Sequence, residues 1–364
     1  MDTHKKDHKI ALRYPGQKEI VTLTIKNTAS EISKMVKRIK RKAPGEVRFC
    51  YEAGVCGFDL KRKIESLSCK CVVIAPSLTP VKPGNKIKTD RRDAMKLLDM
   101  FKNGMLTEVY APDLKQEAAR EITRLRKTVC ENLMRIRHQL QKFLIRHGYI
   151  YCQGNNWTQK HLLWMRSLKF EEPWLYEVFD SYYTEMQHCL QRLDSLDKRV
   201  KELAESEPYK EVVDLLKCFH GISTLTAISI ITEIFDFGRF SDPRQLMGYL
   251  GFIPSEYTTG TKQKKGPIGK NGNKRVRRLL VEVSWHYRHP YKISRVLKQR
   301  RENQPQWAID IADRAGQRLR KRYWYLVNHG KMPCKATVAV ARELAGFIWS
   351  VFREYELRNM KEAA

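Results

Sequence analysis

The sequence of 364 residues contains no run of about 18 apolar residues, which excludes a helix that spans a membrane. It also lacks a disulfide framework: its nine cysteines are odd in number and scattered, which predicts free thiols in a reducing cytoplasm. The first residues, Met1-Asp2-Thr3-His4-Lys5-Lys6, are polar from the start, so we expect no secretory signal there. These absences together predict a globular, cytoplasmic protein with no membrane-spanning part.

Acidic residues are scarce as well. The chain has 40 Asp and Glu against 69 Lys and Arg, a net charge of +29. So much like charge repels itself in a compact chain unless a polyanion shares the space, and nucleic acid is the first candidate, ahead of an anionic membrane surface. The excess is concentrated, because residues 261–300 hold 13 Lys or Arg and one acid, Glu282, a local net charge of +12.

Residues 1–111 alternate between strand and helix patterns. Two β-rich runs at 8–14 and 20–25 flank Pro15-Gly16, which predicts a hairpin. Further strands are predicted at 47–51 and 71–75, and helices from Thr28, around 57–67 and over 89–103. A hairpin followed by strand–helix alternation indicates a mixed α/β sheet.

The pattern becomes helical from Pro112 onward. Apolar residues at spacings of three and four from Leu114 to Leu144 predict one helix of roughly ten turns, and a second long helix runs from Leu175 to Leu203. The two helices form either an intramolecular hairpin or a dimerising coiled coil. We therefore expect three segments: an α/β domain at 1–111, a long helical segment at 112–207 and a mostly helical domain at 208–364.

Acids of the first segment are candidates for a metal site. Glu52 ends an apolar strand, and Asp90 and Asp93 share one face at the start of a helix. Carboxylates gathered at a sheet edge repel each other unless a divalent cation such as Mg²⁺ neutralises them. Each acid also has an ordinary explanation, since an Asp stabilises a helix start and a Glu at a strand end is often solvated.

The basic stretch of the last segment is a candidate nucleic-acid site. Glycines are interspersed among its lysines, so the backbone can approach a phosphate chain while the cations add affinity that depends on salt. The alternative is a flexible, solvated loop. The candidate phosphate contacts are Lys262, Lys264, Lys265, Lys270, Lys274, Arg275, Arg277 and Arg278.

Several segments together resemble the insertion sequence 110 family, the DEDD transposases, which include the related pilin-gene invertase. The resemblance covers nearly the whole chain. The matching segments are Tyr51-Glu52-Ala53-Gly54, Ala75-Pro76-Ser77-Leu78-Thr79-Pro80, Lys88-Thr89-Asp90-Arg91-Arg92-Asp93-Ala94, Gly251-Phe252-Ile253-Pro254-Ser255-Glu256-Tyr257, Gly269-Lys270-Asn271-Gly272-Asn273 and Arg277-Arg278.

The resemblance implies that the α/β domain is of the RuvC-like (RNase H-like) type and that the last, helical domain is the family's transposase domain. The coiled-coil segment predicted from periodicity lies between them. Asp2, Glu52, Asp90 and Asp93 would bind Mg²⁺, with Mn²⁺ as a possible substitute. A serine before a glycine would attack DNA and form a covalent phosphoserine link. The resemblance also implies a structured guide RNA, a homo-oligomer (dimer or tetramer), no membrane partner, and action on DNA in a bacterial or archaeal cell.

Two positions depart from the family pattern. Thr259 occupies the place of the serine, with Thr258 before it, so Thr259 is the candidate nucleophile. Asp2 directly follows Met1, whereas the family's aspartate ends a first strand, so we expect that strand to be missing or the start codon to be placed late. Two rival functions stay open: a RuvC-like junction nuclease without a covalent intermediate, and an inactive remnant that only binds nucleic acid.

Overall fold

The structure is a computed structural model that describes residues 1–17, 19–80, 89–259 and 262–362; the side chains of 262–265 and 362 lie outside this description. The chain divides into two compact units, Met1–Asp113 and Leu114–Ala364. The first unit mixes strands and helices and the second is mostly helical, so the expected mixed α/β class is confirmed. The division into three segments stays a prediction.

The first unit contains two small sheets. Strands β1 (Asp2–Thr3), β2 (Asp7–Leu12) and β3 (Val21–Lys26) form an antiparallel sheet in that order. Strands β4 (Arg48–Glu52) and β5 (Lys70–Ile74) pair in parallel. The predicted hairpin is present, with Leu12 opposite Val21. The helices of this unit are α1 (Ala29–Lys42), α2 (Asp59–Glu65) and α3 (Asp90–Lys102).

Local sequence explains where two of these helices begin. Thr28 caps α1, its side chain accepting a hydrogen bond from the backbone N–H of Glu31, and Thr89 caps α3 in the same way through Arg92. Helix α1 packs its apolar face, which includes Val36, into the core of this unit. The start of α3, with its two aspartates, is therefore set by a capping threonine.

The first strand is short but is part of the sheet. Asp2 pairs with Lys9 of β2, and the Met1 amine donates a hydrogen bond to the Cys50 carbonyl of β4 at 2.7 Å. Burial lowers the pKa of that amine. The strand that we expected to be missing is thus represented by two residues, Asp2 and Thr3.

A cleft of about 360 Å³ lies beside Met1. It is lined mainly by residues of 10–15 and 43–50.

The second unit is built from ten helices and one β-hairpin among the described residues. Strands β6 (Pro254–Thr259) and β7 (Lys262–Ile268) pair in antiparallel fashion. The helices are α4 (Leu114–Arg146), α5 (Gln159–Arg166), α6 (Pro173–Glu205), α7 (Lys210–Lys217), α8 (Thr224–Ile234), α9 (Pro243–Tyr249), α10 (Lys274–Ser284), α11 (Arg295–Arg301), α12 (Gln306–Asn328) and α13 (Pro333–Glu362).

The two long helices, α4 and α6, pack against each other within one chain. Arg126 of α4 pairs with Asp197 of α6, and further along α4 the ring of Phe143 lies 6.0 Å from that of Tyr182. Because residues later in α4 meet residues earlier in α6, the helices are antiparallel. Of the two predicted arrangements, the structure has the intramolecular hairpin. A dimerising coiled coil stays a prediction.

A large apolar core surrounds α8 in the rest of the second unit. Ile228 and Ile230 of α8 and Leu344 of α13 are fully buried in it.

All nine cysteines are free thiols. Within the described part of the chain, no helix combines the length and the apolar character that crossing a bilayer requires.

The packing of the helical hairpin makes a testable prediction. Met186 of α6 is 0% exposed, whereas Met134 of α4 is 50% exposed. Met186→Ala should lower the free energy of unfolding by about 2–5 kcal/mol, because it leaves a cavity. Met134→Ala should change it by less than about 0.5 kcal/mol. Urea unfolding followed by circular dichroism measures both, and equal effects would contradict the arrangement of α4 and α6.

Candidate active site

Asp2, His4 and Asp90 meet beside the first strand. Asp2 and His4 are two residues apart on an extended segment, so their side chains share one face. The His4 Nε2 atom lies 3.3 Å from Asp2 Oδ2 and 3.5 Å from Asp90 Oδ2. Asp90 is the first residue of α3, and the Thr89 cap fixes where that helix starts. Tertiary packing thus brings a strand and a helix start together at one imidazole.

This trio has the donor atoms of a divalent cation site. One ligand atom from each of Asp2, His4 and Asp90 lies within 4.8 Å of the other two. Carboxylate oxygens suit Mg²⁺ and Mn²⁺, and an imidazole nitrogen adds affinity for transition metals. The residues therefore fit a divalent cation, and the mixed donors do not select Mg²⁺ over Mn²⁺.

The other two predicted acids lie nearby but outside the trio. Glu52 ends β4, and its carboxylate accepts a hydrogen bond from Thr79 Oγ1 at 3.1 Å. Burial lowers the pKa of the Met1 amine, and the negative charges of Asp2 and Glu52 both raise it in part. Both carboxylates therefore lie close enough to that amine to interact with its charge. Asp93 stands one turn after Asp90 in α3. The structure brings Asp2 and Asp90 together and leaves Glu52 and Asp93 at the periphery.

His4 is the residue that the sequence-based prediction missed. In an extended segment, a histidine two positions after a candidate ligand shares its face, and this spacing was the available signal. The signal is weak by itself because His4 stands among lysines in a polar segment. Only the approach of α3 reveals its second carboxylate partner.

The candidate nucleophile Thr259 belongs to the second unit. It is the exposed last residue of β6, and its backbone is opposite Lys262 of β7. The hydroxyl of Thr258 donates to Glu256 Oε1 at 2.9 Å. The next residues, 260 and 261, lie outside the described residues, as do the side chains of Lys262, Lys264 and Lys265.

The remaining basic residues at the start of α10 differ in what they contact. Arg277 Nη1 donates to the carbonyl oxygens of Leu250 at 2.7 Å and Asn271 at 3.1 Å, and burial lowers the pKa of Arg277. The guanidinium of Arg277 thus holds two stretches of backbone together. Its neighbour Arg278 pairs with Glu282 at 2.7 Å and with Glu131 at 3.2 Å.

Lys270 and Lys274 line an open groove. The groove has a volume of about 360 Å³ and is bordered by these lysines together with Ile268 and the side chains of α10. Cations on such a surface are in position to meet phosphates, and their pairing with an anion depends on salt. Arg277 and Arg278 line the same groove, but Arg277 differs from the two lysines because it donates to backbone carbonyls.

A glycine allows the close approach that shapes this region. Gly272 has a φ of +77°, and a Cβ atom placed there would lie 1.9 Å from the Tyr249 carbonyl oxygen. Any other residue would therefore push the loop before α10 away from the end of α9. The glycine therefore permits the loop that leads from Lys270 to Lys274 to lie against the end of α9.

Comparison with known proteins relates this geometry to a family. The chain is 38% identical over 356 residues to a putative transposase, y4qE, of Sinorhizobium fredii; the match covers 97% of this chain and 88% of the relative. The chain belongs to the IS110 family of transposases. A match of 33% identity over 327 residues to the transposase of insertion sequence element IS1533 of Leptospira borgpetersenii covers 89% of this transposase and 94% of that relative.

Two family models match separate parts of this transposase. Residues 1–148 match the DEDD model of the IS110 transposases, and residues 213–297 match the model described as the Transposase IS116/IS110/IS902 family. The protein is therefore a DNA transposase, an enzyme that acts on DNA. Membership of the DEDD group implies that it requires a divalent metal, and the donor atoms of Asp2, His4 and Asp90 fit that requirement.

Metal binding can be tested directly. Asp90→Asn should weaken Mn²⁺ binding by the full chain at least about tenfold, because even outer partners of a metal site contribute that much. Asp99→Asn, which changes another exposed aspartate of the same helix α3, should leave binding unchanged. Isothermal titration calorimetry measures both variants, and a similar loss in the two would contradict a site at the trio. His4→Ala should also weaken binding.

Proposed function

We propose that this transposase cuts and rejoins the DNA of an insertion sequence by metal-dependent phosphoryl transfer. The observation that carries the proposal is the convergence of Asp2, His4 and Asp90 within 4.8 Å in the first unit of a DEDD transposase. An antiparallel hairpin sheet followed by parallel strands and helices supports a RuvC-like (RNase H-like) fold for this unit.

The proposed metal site consists of Asp2, Asp90 and His4, with Glu52 and Asp93 as the neighbouring acids of the DEDD set. The metal we propose is Mg²⁺, with Mn²⁺ as a substitute. Such an ion would polarise the scissile phosphate and neutralise the charge that develops on it. Glu52 Oε1 accepts a hydrogen bond from the hydroxyl of Thr79, which helps to orient this carboxylate.

Thr259 is the proposed nucleophile. Its hydroxyl oxygen would form a bond to phosphorus while the bond from phosphorus to the leaving DNA oxygen breaks, and the hydroxyl proton would end on the released DNA hydroxyl. The strand would stay attached to the protein, so the reverse reaction could join it to a new partner. The exposed position of Thr259 at the end of β6 supports this role, because DNA can reach it.

Thr259 also leaves room for a second candidate function, that of a metal-dependent nuclease. The methyl group of a threonine crowds the in-line approach to phosphorus more than a serine does. The acids of the first unit would then serve a metal-dependent nuclease that uses water and leaves no covalent intermediate. Both functions need the metal site, so only the fate of the cut strand separates them.

The net charge of +29 supports a large nucleic-acid surface. We include in the proposal a structured guide RNA and assembly into a dimer or tetramer, both of which the family implies. Lys270 and Lys274 are the proposed phosphate contacts of the described groove, joined by Lys262, Lys264 and Lys265 of β7. Arg278 lines the same groove, whereas Arg275 lies 3.7 Å from the Glu233 carboxylate, and Arg277 holds the loop in place through backbone carbonyls.

The covalent step can be tested by trapping. Wild-type protein incubated with DNA carrying the ends of its element, with Mg²⁺ and the element's non-coding RNA, should yield protein joined to a cut strand. Thr259→Ala should remove the product, because no hydroxyl is left to attack. Thr258→Ala should keep it, because the Thr258 hydroxyl is engaged by Glu256. Denaturing gel electrophoresis of labelled DNA measures the adduct.

The same assay separates the alternatives. Cut DNA with no adduct in the wild type would favour the nuclease, and Asp90→Ala should abolish cutting in either case. Omitting the RNA should abolish recombination. Full recombination without it would refute the guided mechanism while leaving the covalent step intact.

Binding of phosphates can be tested through salt dependence. The logarithm of the affinity for duplex DNA should fall linearly with the logarithm of salt concentration, and each lost phosphate contact should reduce the slope by about 0.9. Lys270→Ala and Lys274→Ala should each show that reduction. Arg277→Gln should keep the slope but melt at a lower temperature, because the backbone carbonyls lose their donor. Fluorescence anisotropy measures the slopes, and an unchanged slope in both lysine variants would contradict the groove assignment.

A further inference from the structure

Glu233 is a buried carboxylate in an otherwise uncharged helix. It lies in the last turn of α8, is 7% exposed, and follows a series of isoleucines. Its two carboxylate oxygens accept hydrogen bonds from Arg124 of α4, at 2.7 Å from Nε and 2.9 Å from Nη2. These bonds raise the pKa of Arg124. The pair is bidentate, the geometry that gives a guanidinium and a carboxylate their strongest contact.

The same carboxylate also contacts the start of α10. Asn273 Nδ2 donates to Glu233 Oε2 at 3.0 Å, while Asn273 Oδ1 accepts from the backbone N–H groups of Arg275 at 3.0 Å and Val276 at 3.1 Å. The side chain of Asn273 is thus the N-cap of α10 on one side and a partner of Glu233 on the other. Its backbone N–H donates to the Tyr249 carbonyl at 3.1 Å.

A buried charge needs an explanation, because desolvating a carboxylate costs several kcal/mol even when a cation pairs with it. The Glu233 carboxylate joins three helices: α8, which carries it, α4 through Arg124, and α10 through its N-cap Asn273. Arg275 of α10 adds a longer ion pair, with its Nε atom 3.7 Å from Glu233 Oε1. A second contact between α4 and α8, the hydrogen bond of Thr123 with Thr232 at 3.1 Å, already joins those two helices. The distinct contribution of Glu233 is therefore the link to α10.

We propose that Glu233 is a positioning residue for the basic loop at 269–273, which precedes α10, and that it acts through Asn273. By holding the N-cap, it sets the first turn of α10 and the end of the loop at 269–273, which place Lys274 and Lys270 in the groove. This inference rests on the proposed function of that groove. It assigns to the long helical hairpin a role in orienting the basic site, since Arg124 belongs to α4.

The test exchanges donor and acceptor in the hydrogen bond between the side chains of residues 273 and 233. Asn273→Asp keeps a capping oxygen but sets a second carboxylate against Glu233, so amide exchange at residues 269–276 should rise about tenfold and DNA affinity should fall about tenfold. Adding Glu233→Gln supplies an amide donor to the new carboxylate at position 273 and should restore both quantities to within about threefold. The double variant should still melt at a lower temperature, because Arg124 has lost its carboxylate partner.

This rescue separates positioning from a general effect on stability. Hydrogen–deuterium exchange with mass spectrometry measures the loop in the free protein, and fluorescence anisotropy measures binding to duplex DNA. Glu343→Gln is the matched control, because Glu343 pairs with Arg318 at 3.0 Å and Arg322 at 3.1 Å elsewhere in the second unit. It should leave exchange at 269–276 and DNA affinity unchanged.

Two results would overturn the inference: unchanged exchange at 269–276 in Asn273→Asp, or a double variant as disordered there as the single one. If Asn273→Asp does not fold, Asn273→Ser, which keeps a capping oxygen but lacks the amide group, should show the same local rise in exchange. Absence of salt-dependent DNA binding by the wild type would contradict the proposed function. The exchange data decide the role of Glu233 in either case, because they need no DNA.

Discussion

In a chain with 69 Lys and Arg against 40 Asp and Glu, few carboxylates are available to pair with a buried cation, and backbone carbonyls take part of that role. Three arginines of the second unit illustrate this constraint. Arg124 is paired with Glu233, Arg301 with Asp313, and Arg277 with the carbonyls of Leu250 and Asn271. Because these acids pair with arginines inside the fold, most of the excess positive charge is on the surface, where nucleic acid can neutralise it.

The first unit uses its acids in the opposite way. Asp2 and Asp90 converge on one histidine, which supplies at most a single positive charge, and Glu52 ends a neighbouring strand. Carboxylates that share a site in this way favour a cation from solution. The two units therefore differ in how they use their charges, since the first gathers acids at one site and the second pairs its acids with internal arginines.

Local patterns in the sequence predicted much of the architecture. The hairpin at Pro15-Gly16, the start of α1 at Thr28 and the two long helices depend on short-range spacing, and each is present. The roles of His4 and Arg277 were beyond such patterns. Each depends on a partner far along the chain, Asp90 for His4 and Leu250 for Arg277, and a charged residue in a basic segment carries no local sign of that partner.

The sequence by itself determined the class of the two units, the family, the polyanionic partner and the candidate acids, because periodicity, charge and contiguous motifs are properties of neighbouring residues. Only the tertiary structure decided which acids meet, which cations are held inside the fold and which face a groove. Those outcomes depend on how β1 meets α3 and how α4, α8 and α10 meet at Glu233. The physical reason is that hydrogen bonds and ion pairs act over about 3 Å, so their effect is set by packing between distant segments.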